Sequence, residues 1–213
     1  PYDCDNGGPC LSKMDFFTSE KARDLWRNRL RYIVARWGYS QHIMAWELWN
    51  EIEDVRGYTK DTVHPWTREM CRYLKDIDPY DHMTVSSLGA WWMEPTLWIY
   101  PELDFAQMHG YHLDTLQGIP FFSRDFAHDW GTTMINAIGV LRSFKKPALF
   151  GEFGIIGDDY GHTDRWDGDP EGVHLHNGIW GGLMGGGAGT GHVWFWDSYV
   201  AEKNLWYHYR AVA

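Results

Sequence analysis

Short apolar runs bounded by turn residues alternate along the chain with stretches whose apolar residues recur at three- and four-residue steps. That alternation constrains the fold more than any other feature. A short apolar run closed by glycine, proline or polar residues reads as a buried strand, and the 3.6-residue period reads as an amphipathic helix. Strand, helix and strand in repeated order give parallel strands joined by right-handed crossovers. An α/β fold in one domain spanning 1–213 is the expectation.

The elements follow in order. Residues 1–17 (PYDCDNGGPCLSKMDFF) read as a loop. Thr18 or Ser19 caps a helix whose stripe is Ala22, Leu25, Trp26, Ile33, Val34 and Trp37, and Gly38 ends it. The run HIMAWELWNE gives a buried strand over 43–51. A helix over 65–77 carries Pro65 in its first turn and stops before Asp78-Pro79. Strands are expected at 83–88, 104–111, 147–153 and 192–198, with helices at 130–144 and from Asp169-Pro170 to the glycine run, and a last helical piece after the final strand. Five strands fall short of the eight in an α/β barrel, which takes ~250 residues. The first 41 residues hold one loop and one helix, so the shortfall lies on the N-terminal side. An incomplete (β/α)8 barrel is expected, with an open five-stranded sheet as the alternative. Its unpaired edges at 43–51 and 192–198 would invite self-association.

Composition narrows the partner. A net charge of −10 argues against nucleic acid, which wants a basic face. No stretch approaches the ~18 unbroken apolar residues of a membrane-spanning helix. Fourteen Trp and 12 Tyr exceed what a core of this size requires. Their flat faces stack on the apolar faces of sugar rings, although ordinary packing accounts for most single tryptophans. Cys4, Cys10 and Cys71 have no zinc spacing, and a Cys4–Cys10 disulfide stays open as one way to close the first loop.

Chemistry sits at strand ends in an α/β barrel. The strand 43–51 ends in Trp49-Asn50-Glu51, and the strand 147–153 ends near Gly151-Glu152-Phe153. Parallel strands carry such ends to one rim. Retaining hydrolysis of a glycosidic bond needs two carboxyl groups about 5–5.5 Å apart. One is protonated and donates to the leaving oxygen; the other is ionised and attacks the anomeric carbon.

The segments around these residues resemble clan-A glycoside hydrolases of the family 5 type. IMAWELWNEIE is similar to the fourth barrel strand, whose Asn-Glu supplies the acid/base, and KPALFGEFGI to the seventh, whose Glu is the nucleophile. MHGYH resembles the sixth-strand His-x-Tyr, and HVWFWDSY the eighth-strand Trp segment beneath the sugar. The resemblance implies Glu51 as acid/base, Glu152 as nucleophile and Asn50 as a partner of the sugar 2-hydroxyl. It also implies Tyr111 as a donor to Glu152, His109 beside it, and Trp194 or Trp196 as stacking platform, both on one strand face by the two-residue period. No segment matches the Arg of the family's second strand or the polar residues of its third. A β-linked oligo- or polysaccharide, mannan or glucan, is the implied partner, with no cofactor or metal and a secreted or periplasmic location.

Other signals read as structure. The run GGLMGGGAGTG (181–191) fits no phosphate-loop spacing and suits tight helix packing. The acidic loop 157–171 lacks EF-hand spacing. His174 and His176 fall two apart in a helix and face different ways. Two other functions stay in play: a catalytically impaired carbohydrate-binding fragment, which would bind without releasing sugar, and a metal-dependent barrel hydrolase, which chelation would inactivate.

Overall fold

The computed structural model describes residues 1–89, 94–113, 129–156 and 166–213, and the chain divides into two compact units, Pro1–Phe105 and Ala106–Ala213.

In the first unit a short helix α1 (Asp15–Thr18) leads into α2 (Glu20–Trp37). The Ser19 hydroxyl accepts the Ala22 N–H at 3.4 Å, satisfying one of the donors a helix start leaves open. Strand β1 (Ala45–Glu47) follows, then α3 (Lys60–Ile77) and strand β2 (Met83–Val85). Val63, Trp66, Met70 and Leu74 recur at helical steps and are buried, giving α3 its inward face. Its outward Glu69 pairs with Arg23 and Arg27 of α2. The strands run parallel, from Ala45 opposite Met83 to Glu47 opposite Val85. Asp78, just past α3, fastens both: it accepts from Trp46 Nε1 at 2.8 Å and from the Tyr80 and His82 N–H groups at 3.0 and 3.2 Å.

Two expectations are corrected here. Helix α3 starts at Lys60, not 65, because the Thr62 and Val63 N–H groups already bond to the Thr59 carbonyl; Pro65 sits inside the helix. β1 is three residues long and partly exposed, not a buried strand across 43–51. Beyond Glu47 the pairing with 85–88 loosens, with Ser87 N–H to Trp49 carbonyl at 3.3 Å, and the backbone at Glu51 turns left-handed. The three cysteines are free. Backbone bonds from Cys4 N–H to Cys10 carbonyl (2.9 Å) and Cys10 N–H to Tyr2 carbonyl (2.8 Å) close the first loop in place of a disulfide.

In the second unit β3 (Ala106–Leu113), β4 (Ala148–Ile156) and β5 (His192–Val193) form a parallel sheet in that order. Helix α4 (Trp130–Arg142) is capped by Asp129, and α5 (Val173–Met184) by Asp169, whose carboxylate accepts the Val173 and His174 N–H groups at 2.8 and 3.0 Å. The chain ends in α6 (Tyr207–Arg210). The two long helices pack backbone to backbone: a Cβ at Gly181 would lie 2.6 Å from the Gly131 carbonyl oxygen. The glycine run therefore does what the packing reading asked of it. His174 and His176 fall within α5 as expected.

The strand expected at 192–198 stops at Val193. The Phe195 carbonyl accepts from the Tyr199 and Val200 N–H groups at 3.0 and 3.3 Å, turning Trp196–Ala201 into a wide helical turn. The strands at the two edges expected to be open, β1 and β5, are three and two residues long. Asp158, Asp159 and Asp164 of the acidic loop lie outside the described residues. Trp66, Trp98, Trp130 and Trp166 are fully buried, so much of the tryptophan surplus serves packing. Among the described residues no helix is long and apolar enough to cross a membrane.

Candidate active site

The expected site residues divide between the units. In the first, Asn50 is exposed and Glu51 half-buried, directly after β1. Trp49 anchors the segment: its ring lies 5.0 Å from Phe16, edge-on, and 6.0 Å from Trp66, inside a cluster that also takes in Phe17 and Trp26. Such pairs contribute about 0.5–1.5 kcal/mol each beyond burial. Glu51 itself has φ 51° and ψ 57°. A side chain in the left-handed region costs roughly 1–2 kcal/mol, and such strain persists only where neighbours impose it. The neighbours here are Ser87, whose Oγ accepts the Glu51 N–H at 3.0 Å, and the one-turn helix Ile52–Asp54, whose Asp54 N–H donates to the Glu51 carbonyl at 3.0 Å. A cleft of about 950 Å³ opens beside these residues, lined by Trp49, Asn50, Glu51, Asp54 and Arg56 from this segment and Lys13 from the first loop.

In the second unit, β3 and β4 slip register between Met108 and His109, so that His109 stands opposite Glu152 while Gly151 is skipped. A bulge of this kind re-aims side chains. A Cβ at Gly151 would crowd the Gln107 and His109 side chains at 3.1 Å, so both would have to give by a few tenths of an ångström. Two residues along β3, on the same face, the Tyr111 hydroxyl donates to Glu152 Oε2 at 2.5 Å. His109 Nδ1 lies 3.3 Å from the same oxygen, its ring buried. A hydroxyl at this distance makes a charge-assisted bond, which favours the ionised carboxylate. Glu152 sits within β4 rather than at its end, which lies four residues on. On its other side it is in register with His192.

The tryptophans are placed differently from expectation. Trp194 follows β5, its N–H donating to the Phe153 carbonyl at 3.0 Å, and Trp196 begins the wide turn; both are exposed, at 53% and 55%, and they do not share a strand face. Reading by residue type missed Ser87 and Gly89, which touch Glu51, and Gly151 as the bulge residue. Ser-Ser-Leu-Gly after a strand is an ordinary turn signal, and its contact lies 36 residues away in sequence. As for ions, Asp3, Cys4 and Asp5 bring ligand atoms within 4.8 Å of one another, but Asp3 already caps that turn through the Asp5 N–H at 2.8 Å.

No protein-family model matches the chain. It is 27% identical over 172 residues to mannan endo-1,4-β-mannosidase F of Aspergillus clavatus, a match covering 73% of this chain and 37% of that one. The chain thus spans about a third of the length of the curated relatives it matches. Among solved structures, the endo-1,4-β-D-mannanase of Thermotoga petrophila superposes with a TM-score of 0.62 at 19% identity, covering 88% of this chain and 57% of that one. A glycoside hydrolase family 5 mannosidase of Rhizomucor miehei gives 0.58 at 15%, over 85% and 49%. The fold is that of an incomplete α/β barrel, shared with these structures, and the sequence resemblance to glycoside hydrolases is met by mannan endo-1,4-β-mannosidases among the relatives.

Proposed function

We propose that this chain, a relative of the mannan endo-1,4-β-mannosidases, carries the two carboxyl groups of a retaining β-1,4-glycoside hydrolase, with mannan the first substrate to try and a glucan the second. The observation that carries the reading is the Tyr111–Glu152 bond at 2.5 Å with His109 alongside. It is the arrangement a nucleophilic carboxylate needs, since a donor that favours the charged form keeps the oxygen ready to attack. Glu152 adds to the anomeric carbon as the glycosidic bond breaks, and Glu51 gives its proton to the departing oxygen. A glycosyl ester on Glu152 results. Glu51, now ionised, takes a proton from water, which attacks the same carbon and frees Glu152 with the original configuration restored. Asn50, beside Glu51, is assigned to the sugar 2-hydroxyl, a contact that strengthens in the transition state. Trp194 and Trp196 offer exposed ring faces for stacking. A polymeric substrate fits a secreted or periplasmic enzyme, since polysaccharide does not cross a bilayer.

The test is Glu51→Ala and Glu152→Ala against soluble mannan and glucan, read as reducing ends released. Both variants are expected to lose activity by at least ~10²-fold on the polymer, and the first sugar released by the unsubstituted chain should be the β anomer. Turnover at the unsubstituted rate in either variant, or an α product, overturns the reading. Oligosaccharide binding with no sugar released would make the chain a binding fragment instead.

A further inference from the structure

Glu51 adopts its left-handed backbone (φ 51°, ψ 57°) in a seat built by the residues that follow β2. Ser87, fully buried, holds the chain on both sides of it. Its Oγ accepts the Glu51 N–H at 3.0 Å, its carbonyl accepts the Ile52 N–H at 3.3 Å, and its own N–H donates to the Trp49 carbonyl at 3.3 Å. The Glu51 side chain then runs across Gly89. A Cβ at that glycine would lie 3.0 Å from Glu51 Cδ and 3.2 Å from Cγ and Oε1. Those atoms are the mobile end of a flexible side chain, so an alanine at 89 would be accommodated by the carboxyl moving aside rather than by the backbone.

We propose that Ser87 and Gly89 are positioning residues that aim the Glu51 carboxyl, Ser87 by fixing the peptide and Gly89 by leaving the space the carboxyl occupies. The inference rests on Glu51 being the acid/base. Proton donation requires the acid within about 2.6–3.2 Å of the leaving oxygen. A shift of a few tenths of an ångström is therefore costly to that step and of little consequence to folding.

Leaving groups separate this role from a merely structural one. A sugar departs poorly without a proton, whereas 2,4-dinitrophenolate departs without help. The full chain and its Ser87→Ala, Gly89→Ala and Glu51→Gln variants are compared on soluble mannan and on a 2,4-dinitrophenyl β-mannoside, with thermal melts alongside. Ser87→Ala and Gly89→Ala are expected to lose roughly 10- to 100-fold in kcat/KM on mannan, part of the ~10²–10⁴ a general acid supplies, and less than about threefold on the aryl glycoside. Equal losses on both substrates, or none on mannan, overturn the inference. If Gly89→Ala fails to fold, it contradicts the role given to the glycine, and Ser87→Ala still tests the peptide anchor. Glu51→Gln separates the two levels: a large loss confined to mannan upholds the acid/base reading whatever the seat variants do. Equal loss on both substrates, or an unsubstituted chain that hydrolyses neither, removes that reading and the seat with it.

Discussion

The Tyr111 hydroxyl reaches Glu152 Oε2 at 2.5 Å although the strand register puts His109, not Tyr111, opposite the glutamate. The bond is thus diagonal, and it depends on the bulge between Met108 and His109. A hydrogen bond to a charged group contributes about 1.5–3 kcal/mol, equivalent to about 10- to 100-fold. Tyr111→Phe should lower kcat/KM by that factor on mannan and on the dinitrophenyl glycoside alike, because the nucleophile proposed at Glu152 would serve both. Steady-state kinetics on the two substrates check this, and a loss confined to mannan would contradict it.

Asp169 ties three segments together: itself buried, it accepts the Val173 and His174 N–H groups at the start of α5 and the buried Tyr199 hydroxyl at 2.6 Å. Tyr199→Phe removes one donor from a buried carboxylate and should cost about 1.5–3 kcal/mol. Asp169→Ala removes every acceptor at once and should cost more. Urea unfolding midpoints at constant slope are the measurement.

Acid should unfold the protein through the same kind of group. Burial raises Asp78, but hydrogen bonds from Trp46, Tyr80 and His82 outweigh it, and its carboxyl sits below the ordinary range. Burial likewise raises Asp169, and the Tyr199, Val173 and His174 donors reverse that. A depressed folded pKa means that the stabilisation is fully present above the unfolded value, about 3.9, and is lost as pH falls through the folded one. Melting temperature should therefore fall steeply below about pH 4, and Asp78→Asn should flatten that fall while lowering stability at pH 7. A fall of the same steepness in the variant would count against the assignment.

Two glycines in facing helices predict opposite outcomes. Alanine at 181 would push a methyl to 2.6 Å from the Gly131 carbonyl oxygen and 2.8 Å from its Cα, rigid backbone on both counts, and should cost about 1–3 kcal/mol. Gly139, inside α4, has nothing within 4 Å of its would-be Cβ, so alanine there should add about 0.5–1 kcal/mol of stability. At roughly 2–4 °C per kcal/mol for a chain of this size, thermal melts resolve both.

The alternation of runs and periods made the parallel α/β order legible, because strand and helix periods differ and each segment carried its own. Asn50-Glu51 and Glu152 were picked out through motifs each local to one strand, and their roles are the proposal made above. What the sequence hid depends on contacts between strands. The bulge at Gly151 appears only when β3 and β4 are paired, and the Ser87 and Gly89 contacts only when residues 36 and 38 positions away pack on Glu51. The end of β5 was misjudged because HVWFWDS alternates as a strand does, while the bonds from Tyr199 and Val200 to the Phe195 carbonyl wind it into a turn. Helix α3 began early because Pro65 marked a first turn by propensity, and tertiary packing of Val63 and Trp66 overrode it.

Among the described residues, Glu51 is one of four non-glycine residues that carry a left-handed backbone, and the strain there falls on the residue proposed as the acid/base. Glycine adopts φ 51° without steric cost, so Glu51→Gly should melt higher than Glu51→Ala, by the equivalent of up to ~1 kcal/mol once glycine's looser unfolded chain is counted. A screen that selects thermostable variants of this chain would be drawn to position 51. What it would bring back is a sturdier protein without the carboxyl proposed as its proton donor.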